Sequence, residues 1–200
     1  MLIKKAIVSE EIDGLLARRW SCRSFNPEIA VSREQIISIC EAGRWAPSCY
    51  GDEPWRFIVW DKQNDPVNYK KGFDCLGEWN QGWVKNAPIL MAAFADNQFR
   101  KNKKPNRWSQ FDTGASCENI YLQAVSLGLM AHPMGGFDRI KLQYVFNIPE
   151  NYTPMVMIAI GAQTEADTLE PTYRENELEP RSRRPLGETF FIGQWGKAIL

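Results

Sequence analysis

The spacing of apolar positions switches along this chain between helical and extended periods. Over residues 9–19, Ile12, Leu15 and Leu16 fall on one side of a helical projection, which predicts a short helix with Ser9 as its cap. Ser32-Arg33-Glu34-Gln35 has the form of a capping box. It opens a predicted helix carrying Ile36, Ile37, Ile39 and Cys40, with Gly43 placed to stop it. The broadest apolar stripe runs over residues 112–127 through Ala115, Ile120, Tyr121, Ala124, Val125 and Leu127, and Gly128 follows it. Strands are predicted over residues 55–60, 89–95, 129–133 and 155–160, with a polar turn over 61–66 and a further helix over 138–146. The pattern alone describes a layered domain of α/β type.

From residue 164 the character changes. Residues 164–180 hold six acidic residues against one arginine, include prolines and show little period, which predicts an extended run over a surface. Beyond them Phe190-Phe191-Ile192 and Trp195 are too apolar to trail in water. The chain therefore divides into a core, 1–163, and a C-terminal arm, 164–200. The arm's tail packs either on its own domain or on another subunit.

Composition narrows the partners. With 200 residues and 44% hydrophobic residues the chain can bury a sizeable core. Lysine plus arginine balances aspartate plus glutamate at 24 each, so no global field draws it to nucleic acid or to an anionic membrane. Five cysteines without a Cys-x-x-Cys pair, and no signal-peptide core, predict a reduced cytoplasmic setting. A single histidine, His132, gives no metal site. It reads as a packed side chain rather than a catalytic group.

Anion binding must then come from local clusters. One is Arg18-Arg19-Trp20-Ser21-Cys22-Arg23-Ser24-Phe25, and another, near the other end, is Arg181-Ser182-Arg183-Arg184-Pro185-Leu186. Guanidinium forks make paired, charge-assisted bonds to phosphate, although either cluster alone also fits a solvated basic helix end. Ala46-Pro47-Ser48-Cys49-Tyr50-Gly51-Asp52-Glu53-Pro54-Trp55 is a stiff helix–strand link able to aim backbone groups at a flat heterocycle. Met134-Gly135-Gly136-Phe137 lets backbone approach a ligand ahead of a helix start at Asp138. Each link also serves as an ordinary turn.

In order along the chain, these pieces resemble the nitroreductase family of FMN-dependent oxidoreductases. Arg-x-Ser-x-Arg-x-Phe comes first, followed by Ala-Pro-Ser with Pro-Trp, then Asn80 before Trp83 and Ala87-Pro88. Leu-Gly-Leu, Gly-Gly-Phe-Asp, a strand ending in Ile-Gly, and Arg-x-Arg-x-Pro-Leu complete the set.

The resemblance implies an α+β fold of three layers (α-β-α) with a mixed, mostly antiparallel sheet, and an intertwined homodimer with flavin at the interface. By the same resemblance Arg19, Ser21, Arg181 and Arg183 would hold the FMN phosphate, with Trp20 beside them, and Arg23 would approach the N1/O2 side of the ring. Pro47, Ser48 and Cys49 would touch a flavin held mainly by the other subunit. Asn80 would meet the pyrimidine edge or ribityl chain, and Gly135 and Gly136 would bring a backbone N–H near N5. No side chain is implied as catalytic. Hydride would pass from NAD(P)H through N5 to a nitroaromatic, quinone or similar acceptor in ping-pong fashion.

Gly51 and Glu53 stand where the family usually carries Asn and Gln. That departure leaves open flavin binding without catalysis, and the fold itself leaves open other flavin chemistry such as dehalogenation, enoate reduction or flavin fragmentation. The basic stretch with Arg100, Lys101, Lys103, Lys104 and Arg107 is either a solvated loop or, with Phe99 and Trp108, the wall of a substrate channel.

Overall fold

The computed structural model describes residues 2–200. It places β1 (Trp55–Asp61), β2 (Ile89–Asp96), β3 (Met130–Met134) and β4 (Tyr152–Gly161) in one sheet, ordered β1-β2-β4-β3. All three pairings are antiparallel. The parallel component of the expected mixed sheet is thus not found among the described residues. β2 lies inside the sheet and is buried at every position. Its side chains alternate between two cores. Ile89, Met91 and Ala93 point to one that holds Ile39, Ile120 and Ala124, while Leu90, Ala92 and Phe94 point to another that holds Trp60, Trp83 and Leu142. A strand covered on both faces needs no polar side, which is why it reads as an unbroken apolar run.

Helices α2 (Arg33–Arg44) and α5 (Ser109–Ser126) supply the first core, and α3 (Pro66–Phe73), α4 (Glu78–Val84) and α6 (Arg139–Val145) supply the second. The α-β-α layering follows. At the start of α2 the capping box is complete: Ser32 Oγ accepts from the Gln35 N–H, and Gln35 Oε1 accepts from the Ser32 N–H at 2.9 Å. Asp138 caps α6 by accepting from the Lys141 N–H at 2.9 Å.

Three further expectations change, and two helices come unheralded. The first helix, α1 (Gly14–Arg18), is shorter than predicted and is capped by Asp13, not Ser9. Ile12 and Leu16 stay 40% and 44% exposed, so no buried stripe holds a longer helix together. Gly43 does not stop α2 but lies in its last turn, where a Cβ would stand 2.9 Å from Ile120 Cγ1. Its purpose is close approach of α2 to α5, sealed by the Ser116 hydroxyl donating to the Gly43 carbonyl at 2.9 Å. Helices α3 and α4, short and weakly periodic, gave no pattern that was read; Asp65 caps α3 with Pro66 in its first turn. Residues 164–180, expected to be extended, include α7 (Pro171–Leu178). Pro171 pre-sets its backbone, and Glu177 is turned fully inward.

The arm joins the core where the Thr164 N–H donates to the Ser24 carbonyl at 3.0 Å and Phe25 bridges to Gln163. Its tail folds on itself through a Phe191–Ala198 bridge and a Phe191–Trp195 ring contact, leaving Trp195 91% exposed.

Gly161 ends β4 under Pro88 and Phe25. An added Cβ would lie 2.5 Å from Pro88 Cδ and 3.1 Å from Phe25 Cδ1. Both neighbours are rigid rings, so Gly161→Ala is expected to cost about 1–3 kcal/mol by overpacking. Thermal unfolding should show the loss as a drop of several degrees, and an unchanged midpoint would refute this reading.

Candidate functional site: a basic cluster and its neighbouring turns

Arginines from the two ends of the chain converge. Arg19 follows α1 and pairs with Glu118 of α5, Nε to Oε1 at 3.3 Å. Partial burial, then the nearby Arg19 and Arg183 charges, push Arg181 below the ordinary guanidinium value. Three guanidinium groups thus share one electrostatic neighbourhood. Arg181 is partly spent on structure, since its Nη1 donates to the Lys4 carbonyl at 2.6 Å and to the Ala17 carbonyl at 2.8 Å. Lys4 adds a further cation; burial lowers its pKa, and its neighbours include Glu177, Arg23, Glu179 and Arg181. Its ammonium lies 4.5 Å from the centre of the Trp20 ring, which is buried in the core. Ser21, half-buried, lies between Arg19 and Arg23 in the sequence.

Arg23 is held by its backbone. Its N–H donates to Glu177 Oε2 at 2.8 Å, while its side-chain Nε is buried without a partner among the described residues. Next to it the Cys22 carbonyl accepts from His132 Nδ1 at 2.8 Å, which fixes the proton on that nitrogen because a carbonyl can only accept. The imidazole packs on Trp83 of α4, ring centres 4.3 Å apart. Burial pushes His132 down to about 4, so it is neutral at pH 7 and serves packing, as its sequence context implied. Through this contact the Arg19–Arg23 segment abuts β3 and α4.

The same two elements carry the next expected pair. Asn80 Nδ2 donates to the Gly136 carbonyl at 2.9 Å, and the Gly77 N–H donates to that carbonyl at 3.0 Å. A side chain at Gly136 would displace the Asn80 amide, because a Cβ would lie 2.9 Å from Asn80 Nδ2. Gly135 faces open space, with nothing within 4 Å of an added Cβ.

The Pro47–Cys49 turn is anchored elsewhere, at the N-terminal end of α5, where Asp112 Oδ2 accepts from the Cys49 N–H at 3.0 Å. Tyr50, Gly51 and Glu53 all adopt left-handed backbone, at φ 57°, 64° and 51°. Glycine and asparagine tolerate that region best, which explains Gly51 in terms of backbone even as it removes an amide side chain. Asp52, buried beneath the turn, ties it to the basic stretch. Asp52 Oδ1 accepts from the Arg100 N–H at 2.9 Å, and Oδ2 accepts from Asn106 Nδ2 at 3.3 Å. Phe99 meets Tyr50 edge-on with ring centres 6.1 Å apart, and the Arg107 guanidinium lies 4.3 Å from the centre of the Trp108 ring. Lys103 and Lys104 remain exposed.

Reading the sequence missed Lys4, Asp52, Asp112 and Glu177. Nothing in their spacing marks them, because each acts across a long stretch of intervening chain. Among the described residues no group of acidic, histidine or cysteine side chains suits a metal ion, and no helix is long and apolar enough to cross a membrane.

Comparison with known proteins adds independent weight. A family model described as the nitroreductase family matches residues 16–162. A Haemophilus influenzae relative is 38% identical across 91% of this chain and 96% of its own length. The oxygen-insensitive NAD(P)H nitroreductase of Salmonella typhimurium is 23% identical, with 90% of this chain and 98% of that protein aligned. A solved structure described as an oxidoreductase containing FMN superposes with a TM-score of 0.89 at 30% identity, covering 96% of each chain.

His132 gives a pH dependence with a defined sign. Its folded value of about 4 lies below that of an unfolded histidine, so the fold holds the neutral form. The associated stability is complete above about pH 6.5 and is lost as pH falls towards 4, on the order of 3 kcal/mol in all. Urea unfolding of His132→Asn should therefore show a shallower decline than the wild type across that window. Parallel declines would remove His132 as the cause.

Proposed function

We propose that this chain, which belongs to the nitroreductase family, is an FMN-dependent oxidoreductase that moves two electrons from NAD(P)H to a conjugated acceptor such as a nitroaromatic or quinone. The observation that carries the reading is the convergence of Arg19, Arg181 and Arg183 from opposite ends of the chain. Like charges brought together raise the energy of the fold, and a bound dianion offsets that cost. A phosphate monoester fits this donor set, because forked N–H groups match its oxygens. The names of the Salmonella relative and of the FMN-containing structure supply the rest of the cofactor reading.

The residues present fit a flavin mononucleotide. Its phosphate would take Arg19, Ser21, Arg183 and the donors of Arg181 not used on the Lys4 and Ala17 carbonyls. The orphaned Arg23 Nε supplies a buried donor for an electron-rich ring edge. Asn80 keeps its carbonyl oxygen for the ribityl chain or ring while its amide props the Gly136 carbonyl. Gly135, open on its outer side, admits a flat ring against bare backbone. When bound, flavin supplies hydride acceptance and donation at N5, and the protein's part is to hold donor and acceptor in register. Neutral, buried His132 is not asked to donate a proton.

A homodimer completes the reading. Trp195, Phe190 and Ile192 of the tail are 91%, 59% and 52% exposed, as are Phe111 (76%) on α5 and Trp45 (75%) after α2. Surfaces of this kind are covered in stable proteins, and a second copy would bring its Pro47–Cys49 turn to the first copy's flavin. The arm, 164–200, would then serve both the phosphate and the dimer, in a reducing cytoplasm where all five cysteines stay free.

Freshly purified protein should be yellow, and anaerobic addition of NADH or NADPH should bleach it, with reoxidation by a nitroaromatic or quinone. Colourless monomer that takes up no added FMN would defeat the reading. Yellow protein that neither nicotinamide bleaches would leave a flavin-binding protein without this activity.

The basic stretch leads to a separate expectation. Lys104→Ala combined with Arg107→Ala should raise the nicotinamide KM about threefold to tenfold with little change in kcat, since exposed ion pairs contribute about 0.2–1 kcal/mol each. An unchanged KM would return this stretch to the role of a solvated loop.

A further inference from the structure

Glu177 is the most deeply buried acid of the fold, with no exposed surface, yet it belongs to the arm rather than the core. Its carboxylate collects three donors from two consecutive residues of the first arginine cluster. Oε2 accepts from the Arg23 N–H at 2.8 Å, and Oε1 accepts from the Ser24 hydroxyl at 2.8 Å and from the Ser24 N–H at 3.3 Å. Lys4 and Cys22 lie within its field, and together with burial it drives the Cys22 thiol upward. Nearby, Lys4 Nζ donates to the Glu179 carbonyl at 2.6 Å, and Arg181 grips the Lys4 and Ala17 carbonyls. The arm is thus fastened on either side of Glu179, first through Glu177 and then through Arg181.

A charged staple is an expensive way to join two segments. Desolvating a carboxylate costs several kcal/mol, and an apolar contact of the same shape would often hold as well. The acid achieves something an apolar side chain cannot. It fixes the backbone of Arg23, whose Nε stays buried and unpartnered among the described residues, and ties the arm that carries Arg181 and Arg183 to the first cluster. We propose that Glu177 is a positioning residue of the flavin site, locking the arm to the Arg23–Ser24 backbone so that the Arg23 guanidinium and the arm's arginines stand at fixed places around one cofactor. The inference rests on the FMN reading above and assigns a role to a residue outside the expected binding set.

The sign of a redox shift separates positioning from plain electrostatics. A fixed cation near the pyrimidine edge favours reduced, anionic flavin and raises the midpoint potential. Deleting the Glu177 charge with Arg23 undisturbed removes a nearby anion, so the potential would rise. Losing the placement of Arg23 lowers it instead.

The test uses full-length protein carrying Glu177→Gln, which retains shape and one acceptor, and Glu177→Ala, with Glu175→Gln on the exposed side of the same helix as control. FMN affinity is read by fluorescence quenching on adding the apoprotein, potential by equilibration with a reference dye, and arm attachment by tryptic cleavage after Arg181 and Arg183. We expect FMN Kd to rise about tenfold or more in Glu177→Ala and less in Glu177→Gln, given about 1.5–3 kcal/mol for a hydrogen bond to a charged group. The potential should fall in both, cleavage of the arm should quicken, and Glu175→Gln should match the wild type. Kd within about twofold of the wild type, or a potential that rises, in a folded Glu177→Gln protein overturns the assignment. Wild-type protein that fails to bind FMN defeats the functional reading itself. That failure is distinct from one in which the wild type binds and the variants bind equally well.

Discussion

Repulsion among guanidinium groups is the constraint around which the site end of this molecule is organised. Partial burial and the Arg19 and Arg183 charges push Arg181 below its ordinary value, and Arg23 and Arg181 stand within the field of Lys4. Left to itself the C-terminal arm would drift from the first cluster. Three kinds of contact prevent this. Backbone carbonyls of Lys4 and Ala17 take two bonds from Arg181, Glu118 neutralises one side of Arg19, and Glu177 reaches from the arm to the Arg23–Ser24 backbone. A concentration of positive charge of this kind is what a phosphate site requires.

The sheet makes the second half of the site possible. Because β2 and β4 are covered on both faces, β3 is held at the edge of a rigid layer, and its end delivers Gly135 and Gly136 to the surface. Trp83, with 1% exposure, is packed between α4 and the core and carries Asn80 to the Gly136 carbonyl on the same short helix. His132 joins the two halves by bonding to Cys22 and stacking on Trp83, and its neutrality spares this junction another positive charge. Sites built on such elements are held more tightly than sites on free loops.

Much of this was legible in the sequence, for identifiable reasons. The capping box at Ser32, the stripe of α5 and the apolar run of β2 are local signals, so pattern was enough to find them. The arginine clusters and the Gly-Gly turn were visible as residue types in a family order. What stayed hidden was non-local. Gly43 reads as a helix stop until Ile120 is placed against it, and Asp13 overrides Ser9 because Ile12 and Leu16 find nothing to bury them. α7 was invisible because its acidic surface masks the single inward acid, Glu177, whose partners lie more than 150 positions away. Asp52 and Asp112 escaped notice for the same reason, since each bonds a loop brought close only by the fold.

The turn from Tyr50 to Glu53 is held in a backbone conformation that side chains rarely adopt. Left-handed backbone at non-glycine residues costs of order 1–3 kcal/mol each, and Tyr50 carries that conformation with its ring 92% exposed. A turn strained in this way survives only if its surroundings over-determine it. Here Asp112 holds Cys49 from one side, and Asp52 holds Arg100 and Asn106 from the other. The strained turn is therefore braced from both sides, by α5 through Cys49 and by the basic stretch through Asp52. Such coupling ties the backbone of the Pro47–Cys49 turn to that of the basic stretch, so a change in either alters the shape of the other.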